Sequence, residues 1–276
     1  MIGLAARMTT PADRNHWPRH ARQWALVGPP LRPCPEDVAV MERVVAGGGR
    51  RAVILGVTPE LVGLRWPAGA RVVAIDRSRD VIGSIFPTGV PGAIAVQADW
   101  QALPCAPGTV DVVLGDGSLV NLPFPAGYRT LAAEFHRVLA PGGRVALRLF
   151  AAPERRESLA EVAADLHAGR IGNFNALKWR IAMAVQPDDR NIPVVDIGRA
   201  FDDIAPDRAA LAARLGWPRP VIDAIDVYRG SALVYSFPTL AEVRDALAPW
   251  LVVSAVHTPA YELGDRCPTL VLNAGA

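Results

Sequence analysis

The amino-acid sequence predicts an α/β fold: a doubly wound, mostly parallel sheet of seven strands carrying a helical insertion. Short, nearly continuous apolar runs recur at 52–55, 71–75, 93–96, 110–114 and 144–150, separated by helical or turn-rich segments. Runs of this kind alternating with helices belong to parallel sheets covered on both faces. Two late runs, 251–256 and 269–272, are joined by a polar loop with no helix between them. They predict an antiparallel pair at the sheet edge.

In chain order, about the first dozen residues read as a mobile tail, with Met8 as an alternative start. Residues 15–50 read as two helical pieces, the first carrying Trp17 and Trp24. The second opens at Pro35, with Glu36 and Asp37 complementing the helix dipole. Val38, Met41, Val44 and Val45 form its apolar stripe, and Gly47-Gly48-Gly49 stops it. A helix over 128–139 has Tyr128, Leu131, Ala132, Phe135, Val138 and Leu139 at helical spacing, and Pro141-Gly142-Gly143 turns the chain into the next strand. Residues 151–236 read mostly as helices, at 154–168, 174–185, 208–215 and 220–227. Thr239 with Glu242 is a capping box opening a helix to Trp250. The resulting organisation is a tail and helices over 1–50, a binding core over 51–150, a helical insertion over 151–236, and a final helix and strand pair over 237–276.

The hydrophobic fraction of 51% is ample for a large core, and a formal net charge of +2 lacks the one-sided excess of a non-specific nucleic-acid binder. Three cysteines with no close pair, Cys34, Cys105 and Cys267, predict neither a disulfide framework nor a metal site. No signal-peptide pattern and no apolar run of spanning length is present, so the expected compartment is cytoplasmic and no membrane partner is expected.

The chemistry gathers at the predicted strand ends, where open α/β sheets bind ligands. The first strand runs into Gly56-Val57-Thr58, and twenty residues beyond Gly56 stands Asp76, at the end of the second. A carboxylate there can accept hydrogen bonds from ribose hydroxyls. The same pair also fits an ordinary βα turn with a solvated aspartate. Asp99-Trp100 follows the third strand and Gly115-Asp116-Gly117-Ser118 the fourth.

The segment from Glu134 to Leu147, with Arg137-Val138-Leu139 leading into Pro141-Gly142-Gly143 and a strand, closely resembles class I S-adenosylmethionine (SAM)-dependent methyltransferases. The type found in ubiquinone biosynthesis is the nearest in pattern, and the family's element order fits the run from Val53 to Phe150. The resemblance implies SAM as cofactor and S-adenosylhomocysteine (SAH) as product. It implies that Gly56 with Val57 and Thr58 admits the methionine part, that Asp76 holds the ribose, and that Asp99 and the Trp100 region hold the adenine, with Arg77 at the same pocket. Arg137, Pro141 and Gly142 are structural in this scheme. The sequence departs from the family where Ile54 replaces the usual acid before the glycine loop, and where Thr58 and Glu60 replace later glycines. Asp116, flanked by Gly115 and Gly117, is the expected substitute anchor for the cofactor's ammonium; an Asp-Gly turn is the plainer reading.

Alternatives of other kinds are a non-catalytic SAM-binding protein and a nicotinamide-dependent oxidoreductase. The second lacks the glycine spacing for a pyrophosphate, and Glu60 near the helix start would repel one. A nucleic-acid methyltransferase is disfavoured because Asn121-Leu122-Pro123-Phe124 comes late and lacks one proline of that group's motif. The expected partner is a small-molecule acceptor beneath the insertion. Trp24, Lys178, Tyr228 and Tyr235 are candidates for its pocket, with Arg229 beside Tyr228. Lys178, the only lysine of the chain, reads first as part of a solvated helix face and second as a contact for an anionic substrate. Candidate bases are Asp116, His136, His257, Tyr128, Tyr228, Tyr235 and Tyr261, with His136 expected to pack a helix and His257 to end an edge strand. No catalytic residue, acceptor atom or oligomeric state follows from the sequence.

Overall fold

A computed structural model describes residues 24–275. Trp17, the tail and most of the first predicted helical piece lie outside that range. Its described remainder is a 3-10 turn, Trp24–Leu26, followed by proline-rich turns rather than a helix.

The chain then alternates as predicted: α1 (Pro35–Ala46), β1 (Arg51–Leu55), α2 (Pro59–Val62), β2 (Arg71–Asp76), α3 (Arg79–Ile85), β3 (Ala93–Gln97), β4 (Val110–Asp116), α4 (Ala126–Val138) and β5 (Leu139–Arg148). The insertion holds α5 (Leu159–His167), α6 (Phe174–Val185), β6 (Asn191–Pro193), α7 (Val194–Ile204), α8 (Arg208–Leu215), α9 (Arg219–Asp223) and β7 (Val234–Ser236). The chain closes with α10 (Leu240–Leu247), β8 (Leu251–His257) and β9 (Thr269–Ala274). Seven strands form one sheet in the order β3-β2-β1-β4-β5-β9-β8, with β9 antiparallel to both its neighbours. Chain order reverses between β1 and β4, the switch point where such sheets bind ligands.

Alternation along β1 shows how the sheet is covered. Val53 and Leu55 pack with Leu131 and Phe135 of α4 and Val243 of α10. Ala52 and Ile54 face the opposite side, with Met41 and Val45 of α1 and Leu61 of α2. The insertion has its own core, including Phe174, Trp179, Phe201 and Phe237.

Several elements differ from expectation. Val110 pairs with Leu139 but Val112 with Arg144, so Pro141-Gly142-Gly143 bulges out of β5 instead of preceding it. β5 stops at Arg148, which releases Phe150 from the sheet. The helix expected from 154 starts only after Ser158, whose side chain caps it reciprocally with Glu161. The segment 220–227 divides into α9 and a 3-10 turn, Ala224–Tyr228. α7 and the β6–β7 pair are absent from the sequence reading, whereas Thr239 and Glu242 form the expected capping box. Among the described residues no helix is long and apolar enough to cross a membrane.

One buried cation ties three parts of the fold together. Arg148, fully buried at the end of β5, donates from Nε to Asp116 Oδ1 at 2.5 Å. Its Nη1 donates to the Pro30 carbonyl at 2.7 Å and to the Tyr261 hydroxyl at 3.1 Å. Asp37 of α1 lies 3.9 Å away and accepts from the Tyr261 hydroxyl. Burial is the largest single influence and disfavours the charge on Arg148, but the field of Asp116, its hydrogen bond and the other neighbours together outweigh it and raise the pKa. Arg148→Met would strand two buried carboxylates, so it is expected to lower unfolding free energy by about 3–5 kcal/mol. Urea denaturation checks this, and a loss below about 1 kcal/mol would contradict it.

Candidate functional site

Two carbonyl bonds set the floor of the site. The Ile75 carbonyl accepts from the Gly56 backbone N–H at 2.7 Å and from Trp100 Nε1 at 2.6 Å. It thereby pins the glycine loop and the indole to the end of β2. Gly56 has φ +89°, and a Cβ there would project toward Trp100 and Asp76 Oδ2. Glycine is required both for that backbone and to keep the space open. Asp76 gives Oδ1 to the Ser78 N–H at 2.8 Å, while Oδ2 faces Gly56. Burial pushes its carboxyl up to about 6, as expected for a carboxylate with too few donors. Asp99 uses Oδ1 to cap the turn at Gln101, 2.9 Å away.

These residues line two adjoining hollows. The larger has Gly56, Val57, Thr58, Asp76, Trp100, Asp116 and Gly117 on its sheet side. The smaller has Asp76, Arg77, Asp99, Trp100, Gln101 and Asn121, so Asp76, Trp100 and Asn121 belong to both. Gly115 lines neither: it pairs with Leu55 and Leu147 within β4, where a Cβ would meet Leu147 at 2.8 Å. Gly117, with φ +57°, lets the loop pass over Phe150, whose ring an added Cβ would meet at 2.3 Å.

Asp116 reaches the cleft, but Arg148 holds its Oδ1. Burial raises its pKa against the pull of that guanidinium, with the charges of Asp37 and Glu60 adding to the rise. Glu60 itself accepts from Arg32 Nε at 2.9 Å. Three carboxylates thus stand against two guanidinium groups on this side of the cleft, an excess of negative charge that suits a cationic ligand.

The insertion, the N-terminal segment and Phe150 just past β5 supply the far wall of the larger hollow, with Trp24, Lys178, Trp179, Tyr228 and Tyr235. All four predicted pocket residues are therefore present, and Lys178 corrects the first expectation for it. It is buried, with Nζ 5.6 Å from the ring centroids of both Trp179 and Tyr228. Desolvation alone lowers its pKa to about 8. Arg229 lies instead on the surface, paired with Asp202 and Asp226.

Of the candidate bases, Asp116, Tyr228 and Tyr235 line the cleft. His136 is on the exposed face of α4, which corrects its expected packing role, and His257 ends the edge strand β8 as expected. Tyr128 is buried under the sheet, sharing a hydrogen bond with Ser236 at 3.0 Å, and Tyr261 belongs to the Arg148 network. Sequence reasoning missed Phe150, Trp179, Ser118 and Asn121. Trp179 beside Lys178 and Ser118 beside Gly117 were in view; Phe150 was hidden by its assignment to the strand. Among the described residues, no group of three or more His, Cys, Asp or Glu side chains is placed to hold a metal ion.

Residues 56–147 match the family described as methyltransferase domain. No curated protein sequence matches the chain. Among solved structures, a proposed Zn-dependent alcohol dehydrogenase from Rhodobacter sphaeroides is 14% identical, with a TM-score of 0.63 over 97% of this chain and 100% of its own. The CcbJ methyltransferase from Streptomyces caelestis is 11% identical, with a TM-score of 0.56 over 95% and 98%. DhpI, solved with SAH, is 17% identical, with a TM-score of 0.50 over 96% of each chain. At such identities the likeness is one of fold, and the family match supplies the chemistry. Residues 56–147 thus form a methyltransferase domain, with SAM as its cofactor.

Proposed function

We propose that this protein transfers the methyl group of SAM to a small-molecule acceptor held between the sheet edge and the helical insertion 151–236, which acts as a lid. The observation that carries the reading is a single cleft with two different walls. The strand-end residues form one, and aromatic side chains of the insertion form the other. A lid over a hollow walled on both sides suits a small molecule better than a polymer.

The residues fit the cofactor. Asp76 Oδ2, a buried acceptor facing the open side of Gly56, is placed for ribose hydroxyls. The smaller hollow suits an adenine, with Asp99 for its amine, Trp100 along its ring and Arg77 at the mouth. Asp116, with Oδ2 left over from its bond to Arg148, serves the ammonium in place of the acid that Ile54 cannot supply. When bound, the cofactor supplies a methyl group activated by a sulfonium. The chain's part is to align acceptor and methyl and to exclude water.

Ribose hydroxyls donate to ionised Asp76, so affinity should fall as pH drops through its value of about 6. The raised value also means that this group burdens the fold above pH 6 and is relieved below it. Calorimetric Kd for SAH is expected to rise about tenfold from about pH 7.5 to about pH 5, with the rise lost in Asp76→Asn. Equal pH dependence in the two proteins would refute the assignment. Asp116→Asn is expected to weaken SAM binding severalfold; unchanged affinity by calorimetry would remove Asp116 from the ammonium site.

A further inference from the structure

Lys178 is the only lysine in a chain whose other side-chain cations at neutral pH are arginines. It is buried at 6% exposure in the middle of α6, facing the cleft. Among the described residues its ammonium has no ion pair and no hydrogen bond; its contacts are the faces of Trp179 and Tyr228. Cation–π contacts recover only part of the cost of removing an ammonium from water. An apolar side chain of similar length would hold α6 in place at least as well. The arrangement is therefore explained by something that enters the cleft.

The surroundings define its chemistry. The rings of Tyr228 and Tyr235 meet edge to face, their centroids 6.0 Å apart. Among the described residues Trp179 Nε1 is a buried donor with no partner. Phe150 adds an apolar face. The one carboxylate lining this hollow besides Asp76 is Asp116, whose Oδ1 is held by Arg148. The lid side thus offers flat aromatic walls, hydrogen-bond donors and a single point cation. Arginine forks match carboxylates and phosphates through two parallel bonds, whereas an ammonium matches one oxygen. A chain that uses arginine everywhere else keeps its one lysine where a one-oxygen anion would be met.

We propose that the acceptor is a small phenolic compound, and that Lys178 docks its ionised oxygen, the atom that is methylated. This rests on the small-acceptor reading above. The phenolic proton leaves to solvent as the oxygen pairs with the Lys178 ammonium, which stays protonated throughout. The oxygen's electron pair forms the new O–CH3 bond as the methyl–sulfur bond breaks, its pair going to sulfur to leave a neutral thioether.

The test uses 4-nitrophenol, whose ionised form absorbs in the visible, titrated against the full-length protein in the presence of SAH. The bound probe is expected to ionise at least one pH unit below the free probe, about a tenfold shift in its ionisation equilibrium. Lys178→Met and Lys178→Gln should abolish that shift while binding SAH as the wild type does, and Lys178→Met should melt no lower than the wild type. Should Lys178→Met fail to fold while Lys178→Gln folds, the lysine is structural and the inference falls. An unshifted probe, or an equal shift in the folded neutral variants, also overturns it. Benzoate displacing the probe with equal or greater affinity would assign the site to carboxylates and overturn the phenolic class. Wild-type protein that fails to bind SAH removes the methyltransferase-site reading and this inference together; SAH binding without a shifted probe removes this inference alone.

Discussion

The buried guanidinium of Arg148 is the constraint on which the site depends. It occupies the last position of β5, directly opposite Asp116 in the parallel register of β4 and β5. A charge at that depth is tolerable only with a close counter-ion and further hydrogen bonds, and each partner it recruits is a separate piece of chain. Asp116 belongs to the sheet, Pro30 to the N-terminal segment and Tyr261 to the β8–β9 loop. Two residues later Phe150 leaves the strand and becomes cleft wall, under a loop that only Gly117 lets pass. The requirement to neutralise one arginine therefore fixes Asp116 on the sheet side of the cleft and Phe150 on its far wall.

The β8–β9 loop extends the same logic to the insertion. Arg266 donates to Glu157 at 2.5 Å, and Glu157 also binds Arg180 of α6. Glu262 accepts from the Gly172 N–H and from Asn173, the residue that caps α6. Ala260 donates its N–H to Glu36 of α1 at 2.9 Å. One loop thus anchors α1, the end of β5 and the helix bearing Lys178. The two ion pairs of Glu157 are partly buried, where they are less screened than at the surface, while the Glu262 and Glu36 contacts are exposed. The helix carrying Lys178 and Trp179 is held against the sheet through this loop as well as through its own apolar face.

How much of this was legible in the sequence follows from the range of the interactions. The central strands, buried on both faces, are apolar runs whatever their partners, and the partly exposed edge strands β3 and β8 keep enough apolar residues to be read with them. Gly56, Asp76, Asp99 and Asp116 follow strand ends, and in this topology strand ends converge without further information. Lys178 was misread because Leu177-Lys178-Trp179-Arg180 is locally amphipathic. Its burial is decided by Tyr228, about fifty residues away. The partner of Asp116 was hidden for the same reason: only the β4–β5 register brings Arg148 to it. The helix α7 was obscured by Ile192-Pro193-Val194-Val195, a β-branched run around a proline that reads equally well as an extended segment.

The two interactions most distant from local sequence are physically one problem. A carboxylate and an ammonium lining the same small cleft would ordinarily neutralise each other, and neither would then be available to a ligand. Arg148 prevents this by engaging Asp116 first, from beneath the sheet edge, at a cost in desolvation that its other hydrogen bonds offset. The sheet side keeps a surplus of negative charge from Asp37, Glu60 and Asp116, and the lid side keeps an unneutralised cation on aromatic rings. Opposite fields at the two ends of one cleft suit a reaction that begins with a sulfonium on one side and an electron-rich nucleophile on the other. Because the dipolar arrangement exists before any ligand enters, little reorganisation is needed when charge is annihilated in the transfer.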